Sequence, residues 1–264
     1  MQESEGKGIM EAKGDNNRIK RRRQESERNL GLEGKFMKNG VVSPEDLEAL
    51  RARQKELASK AIISNGFKEP IKRVAAVDLA FLPKSENAVV AVLVFSIKEK
   101  DFETIETVHV QGELRFPYIP GFLAFREGPL ILDGLRRLSE DFDVLLCNAH
   151  GIAHPLGCGC STYVGVEIGK PTIGVAKGIL CGSYIEPTKV GDWTPIIYND
   201  RIVGAAILTK PGCRPIFVSP GHLVSVESSA RIVLNLVRDH RFPEPLWKAH
   251  EMATKAVKQA LKDR

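Results

Sequence analysis

No stretch of the 264 residues approaches the roughly 18 consecutive apolar positions of a membrane-spanning helix. The first residues are charged, so they do not read as a secretory signal. Cysteine is scarce and odd in number, five in all, which argues against a disulfide framework and predicts free thiols in a reducing compartment. Gly174 and Gly178 flank Lys177, but the Gly-x4-Gly-Lys-Ser/Thr arrangement of a phosphate-binding loop is absent, which argues against a nucleoside triphosphatase. No internal repeat is present. What remains is ordinary for a globular chain: 43% hydrophobic residues, 6% aromatic, and 38 Lys+Arg against 33 Asp+Glu for a formal charge of +5. A soluble, cytoplasmic monomer with no membrane partner is expected. The mild basic excess fits a polyanionic partner without requiring one.

Residues 1–40 hold few periodic apolar positions and a basic run from Lys20 to Arg23, so a disordered leader is expected there, either a phosphate-tracking arm or a solvated tail. The folded domain is expected over residues 41–264. Ser43-Pro44-Glu45-Asp46 supplies a cap, a first-turn proline and an acid for a helix carrying Leu47, Leu50, Leu57 and Ala61. Three apolar, β-branched runs follow (Val74 to Phe81, Ala88 to Ile97, Thr104 to Leu114), with short connections that favour an antiparallel meander. The period then changes to helical after Phe122. Further strands are predicted at Val144–Cys147, Thr172–Ala176, Gly204–Leu208 and Ile216–Val218, and further helices at Cys160–Ile168 and, last, near Ser225–Asp239. A meander followed by alternating helices and strands predicts an α/β fold, a mixed sheet flanked by helices with ribonuclease H-like topology.

Asp78 stands inside the first apolar strand, where an ionised carboxylate is costly unless it meets strong donors or a cation, and a hard cation such as Mg²⁺ suits it. The alternative is a place on a solvated strand face. Upstream of Glu127, Pro117 and Pro120 stiffen a loop that exposes Tyr118 and Ile119 between them. Such a wedge is able to part stacked bases, and packing of a buried loop is the other explanation. Asn148 ends the fourth strand, and Asp78, Glu127 and Asn148 are expected to converge at one end of the sheet. Cys147, His150, His154, Cys158 and Cys160 are zinc-ligand types, but their order matches no common zinc spacing. His109, His240 and His250 read as surface or packing residues.

The stretches VAAVDLAF (74–81), FPYIPGFLAFREGP (116–129), HGIAHP (150–155), PTIGVAK (171–177) and VSPGH (218–222) together make the chain resemble the endonuclease V family, nucleases of deaminated nucleic acid. The resemblance spans nearly all of residues 45–255. It implies a ribonuclease H-like fold and Mg²⁺-dependent repair cleavage, with Mn²⁺ as a substitute, at the second phosphodiester bond on the 3′ side of hypoxanthine. The products carry a 3′-hydroxyl and a 5′-phosphate, and the strand is DNA, with RNA as a further candidate. Carried onto this chain, the family pattern implies that Asp78 and Glu127 are metal ligands and that Tyr118, Ile119 and Pro120 form a strand-separating wedge. Gly121, Leu123, Ala149 and Gly151 enclose the extruded base, with His154 beside the nucleic acid. Lys177 lies near the scissile phosphate, and His222 takes the last active-site position.

At the end of the fourth strand the family pattern has Asp-Gly, whereas this chain has Asn148-Ala149. The Asn148 amide oxygen can face Mg²⁺ as a third ligand, but it brings no charge, which weakens attraction for a divalent ion. Ala149 adds a methyl group at the expected base pocket, and Leu156 replaces a basic residue common after His-Pro. Two readings follow: a metal-dependent endonuclease whose activity Asn148 lowers, or a protein that binds inosine lesions without cutting.

Overall fold

The computed structural model describes residues 42–98 and 101–263. The expected leader, residues 1–40, lies outside them. Helix α1 (Pro44–Lys60) opens on the expected cap: Ser43 Oγ accepts from Asp46 N–H at 3.1 Å, and the Asp46 carboxylate accepts in return from Ser43 N–H at 3.1 Å.

The three apolar runs form the meander β1 (Arg73–Phe81), β2 (Asn87–Lys98) and β3 (Asp101–Glu113), each antiparallel to the next. Helix α2 (Leu123–Arg136) leads to β4 (Val144–Cys147), and α3 (Cys160–Ile168) leads to β5 (Thr172–Ala176); β1, β4 and β5 run parallel. Strands β6 (Trp193–Tyr198), β7 (Arg201–Ile207) and β8 (Ile216–His222) fold back antiparallel, and α4 (Val226–Asn235) and α5 (Glu244–Lys262) end the fold. The order across the eight-stranded mixed sheet is β3-β2-β1-β4-β5-β8-β7-β6, the ribonuclease H-like arrangement expected from the element order.

Strand alternation decides which side chains share a face. Val74 and Ala76 of β1 and Val144 and Leu146 of β4 belong to one core with Ala230 and Val233 of α4 and Leu246, Ala249 and Ala253 of α5. Asp78 and Asn148 continue the same two-residue rhythm, so both come to the α5 side at the carboxyl ends of their strands. Helices α2 and α3 pack on the sheet as well, α2 against β2 and β3 and α3 against β5 and β8. Cover on both faces explains why β4 and β5 read as unbroken apolar runs.

Two elements depart from the expected pattern. Strand β6 lies at the sheet edge, half-exposed and carrying Pro195, whose missing N–H is tolerated there. Helix α5 lies beyond the helix expected to be last: α4 stops at Asn235, and a new helix starts after Pro243, burying Leu246, Ala249, Ala253 and Val257 at helical spacing.

The β4–α3 loop rests on the sheet. A Cβ on Gly174 would sit 2.6 Å from Gly151 N and nearer still to the Ala149 carbonyl oxygen. Gly151 N–H donates to Ser219 Oγ at 2.8 Å and Ile152 N–H to Pro220 O at 2.8 Å, so the loop is fastened to β8 across the bare backbone of β5. Among the described residues no helix is long and apolar enough to cross a membrane, and all five cysteines are free. Gly174→Ala is expected to destabilise the fold by about 1–3 kcal/mol and to lower the melting temperature by roughly 2–10 °C. Thermal unfolding followed by circular dichroism checks this, and an unchanged midpoint would contradict the close approach.

Candidate active site

Asp78 is only 6% exposed, which removes the solvated-face alternative. Its Oδ1 accepts from Asn148 Nδ2 at 2.9 Å, and its Oδ2 pairs with His250 Nδ1 at 2.7 Å. An ionised carboxylate only accepts, so the amide nitrogen of Asn148 must face Asp78, and His250 must carry its proton on Nδ1. That leaves Asn148 Oδ1 for another partner, and in the neutral ring His250 Nε2 as an acceptor. His250, expected as a surface or packing residue, is on the surface with 55% of its side chain exposed and also reaches from α5 onto Asp78.

Glu127 lies early in α2. Burial first, and the charge of Asp78 second, push its carboxyl up to about 7, while Arg126 opposes the rise. Two carboxylates that repel each other and an amide oxygen are the hard oxygen donors that a cation such as Mg²⁺ takes. Among the described residues, however, no group of three or more His, Cys, Asp and Glu side chains is arranged to hold a metal ion. The set fits such an ion in kind and is one charge short, at Asn148. The cysteines and histidines of the β4–α3 loop form no such group either, and burial pushes the Cys147 and Cys158 thiols up to about 12, far from the thiolate that zinc requires.

Lys177 follows β5 directly, exposed, at the sheet end that carries Asp78 and Asn148. His222 does not join them. Strand β8 runs antiparallel to β5, and His222 pairs with Thr172, the first residue of β5. The register sets it roughly 10 Å down the strands and about 14 Å across from Asp78. There it is buried, and its Nδ1 accepts from Ile62 N–H at 3.2 Å. The histidine that meets Asp78 in the structure is His250.

A cavity of about 210 Å³ opens at the start of α2, between the loop carrying Tyr118 and the loop following β4. Gly121 and Leu123, expected around the base, line it, as do His154 and the expected wedge residues Tyr118 and Ile119. Ala149 and Gly151, also expected around the base, are instead buried against the sheet, and Pro120 of the expected wedge is exposed on the loop. His150, Cys158, Cys160 and Leu180 complete the walls. Tyr118 is 70% exposed, as a wedge requires and a packed loop does not.

His154 Nδ1 accepts from Leu156 N–H at 3.1 Å, so its Nε2 carries the proton and donates to Gly121 O at 3.0 Å. Burial holds His154 below the usual imidazole range, in keeping with this neutral tautomer. His150 is likewise lowered, to about 4, by burial and then by the neighbouring His154. From α1, the fully buried Gln54 donates through Nε2 to Gly121 O at 2.9 Å and to Cys158 O at 3.1 Å, tying the two walls together. Arg53 of the same helix pairs with Glu167 of α3 at 2.8 Å.

The Endonuclease V family profile matches residues 55–251 of the chain. The chain belongs to the endonuclease V family. An endonuclease V of Roseiflexus castenholzii is 39% identical over 212 residues, covering 80% of this chain and 93% of that protein. The crystal structure of endonuclease V from Streptomyces avermitilis matches with a TM-score of 0.76 at 34% identity, covering 81% of this chain and 94% of that one. Ciona intestinalis endonuclease V, solved in complex with a 24mer DNA containing an inosine followed by a ribo-adenosine, matches with a TM-score of 0.72 at 25% identity, covering 83% and 100%. Endonuclease V proteins are metal-dependent nucleases.

The raised Glu127 gives a pH test. Between the ordinary glutamate value of 4.5 and about 7, the folded state binds more protons at Glu127 than the unfolded state does, so stability falls as pH rises through that window. In metal-free buffer, Glu127→Gln should remove this part of the decline, up to about 3 kcal/mol. Urea unfolding of parent and variant at several pH values reads the difference, and parallel pH profiles would contradict it.

Proposed function

We propose that this endonuclease V acts on nucleic acid strands carrying hypoxanthine and cuts the second phosphodiester bond on the 3′ side of the lesion, leaving a 3′-hydroxyl and a 5′-phosphate. The observation that carries the reading is that a cavity able to take one extruded base opens at the start of α2, the helix whose half-buried Glu127 feels the charge of the buried Asp78. The inosine-containing DNA bound by the Ciona relative supports hypoxanthine as that base. Hypoxanthine pairs weakly, so its extrusion costs less than that of an intact pair. DNA is the strand favoured here and RNA the further candidate.

Asp78, Glu127 and Asn148 Oδ1 would hold the metal ion, Mg²⁺ with Mn²⁺ as a substitute. When bound, such an ion supplies charge neutralisation at phosphate oxygens and an acidified water. The chain's own residues do the rest. Tyr118 and Ile119, stiffened by Pro117 and Pro120, part the stack, and Lys177 screens the phosphate charge. His250, oriented through Nδ1 by Asp78, accepts or returns a proton at Nε2. The five free thiols suit a reducing cytoplasm.

The Asn148–Asp78 hydrogen bond favours a second reading. An aspartate at 148 would oppose Asp78 and demand a cation, whereas the amide satisfies Asp78 without one. On that reading the chain binds its lesion and leaves it uncut. Single-turnover cleavage of matched DNA and RNA oligonucleotides with one inosine, in Mg²⁺ and then Mn²⁺, compares the chain with Asn148→Asp. The variant is expected to cut faster by about 10²-fold or more. Cutting by the variant alone identifies the binder, and no cut by either overturns the nuclease reading. In the Asn148→Asp background, His250→Ala should cost about 10²-fold, while His222→Ala stays within roughly threefold, since His222 is remote from the site; the reverse ranking would return the role to His222.

A further inference from the structure

The base cavity is walled by side chains whose hydrogen bonds can be accounted for one by one. His154 has spent both ring nitrogens, on Leu156 N–H and on Gly121 O. The Gly121 carbonyl, holding His154 Nε2–H and Gln54 Nε2–H, has spent both lone pairs. The Cys158 and Cys160 thiols are buried and are weak donors in any case. Tyr118 and His150 differ: both line the cavity, and among the described residues neither the Tyr118 hydroxyl nor the His150 ring has a hydrogen-bond partner, but Tyr118 is 70% exposed whereas His150 is half-buried in the wall.

We propose that His150 is the specificity-determining side chain of the cavity, donating an imidazole N–H to the 6-oxygen of a 6-oxopurine. The inference rests on the hypoxanthine reading above and adds the group that recognises the base. An imidazole carries at least one N–H in any protonation state, and the 6-oxygen is the acceptor that deamination of adenine creates. A donor that only the bound base can meet makes a site reject a base lacking the matching acceptor. The backbone at His150 is fixed independently of its ring, by Ser161 N–H to His150 O at 3.0 Å and by Gly151 N–H to Ser219 Oγ at 2.8 Å, so the side chain can be exchanged on a held loop.

The test is equilibrium binding of the full chain to single-stranded DNA oligonucleotides that differ at one base: hypoxanthine, unsubstituted purine or adenine. The parent, His150→Phe, His150→Ala and His150→Gln are compared, each with its melting temperature. The parent should prefer hypoxanthine to unsubstituted purine. Phe, which keeps a ring without an N–H, should lose about tenfold of that preference, the scale of a lost hydrogen bond in an enclosed site. Affinity for the unsubstituted purine should stay unchanged, which a merely structural loss would not allow. Gln, which restores a donor, should keep most of the preference, and if Phe does not fold, Ala carries the same expectation. Parent-like preference in the folded Phe or Ala variant overturns the inference, as does a parent that prefers hypoxanthine to adenine but not to unsubstituted purine. A parent with no preference for hypoxanthine over adenine overturns the hypoxanthine reading and the inference together.

Discussion

The carboxylate of Asp78 is the constraint around which the site is arranged. An ionised group on a covered strand is costly unless both oxygens find partners. Here one is met by Asn148 at the end of the neighbouring parallel strand and the other by His250 from the helix packed on that face. The strand order β2-β1-β4 sets β4 directly beside β1, and the alternation that buries Val74 and Ala76 against α5 carries Asp78 to the same side. Glu127, arriving from α2, registers the remaining imbalance as its own raised protonation range. Charge, topology and side-chain parity thus converge at the carboxyl ends of two central strands.

Next to it the chain treats polar groups differently. Around the base cavity most hydrogen bonds maintain shape. His154 locks one tautomer against Gly121, whose φ of +85° suits a residue without a side chain, and Gln54 pulls the same carbonyl and that of Cys158 together from α1. The Arg53–Glu167 pair ties α1 to α3, behind one of those walls. The polar groups that hold this shape are spent on one another, which leaves recognition to the few that are not.

Much of this was legible in the sequence. Periodicity located the meander, β4, β5 and α3 to within a few residues, because both-sided burial imposes unbroken apolar runs and helical burial imposes its own spacing. Asp78, Glu127 and Asn148 stood out because a polar residue at the end of an apolar run has few inexpensive explanations. His250 was missed because its helix was missed. Yet the signal was present: Pro243-Glu244-Pro245 marks a helix start, and Leu246, Ala249, Ala253 and Val257 follow at helical spacing with His250 beside them. His222 drew attention through the VSPGH stretch, and only the antiparallel register of β8 shows that this stretch ends on the wrong side of the sheet. Which pocket residues face the cavity and which sit beneath it, as Ala149 and Gly151 do, depends on the loop's path across Gly174, a long-range contact that no local pattern reports.

That path has a consequence for how the protein comes into being. The loop bearing Asn148 and His150 is fastened to Ser219 and Pro220, and Asp78 waits for a histidine far along the chain. During synthesis the meander and β4 emerge long before either tether exists. A chain that ends before β8 and α5 therefore lacks both the tethers that hold the loop and the histidine that meets Asp78.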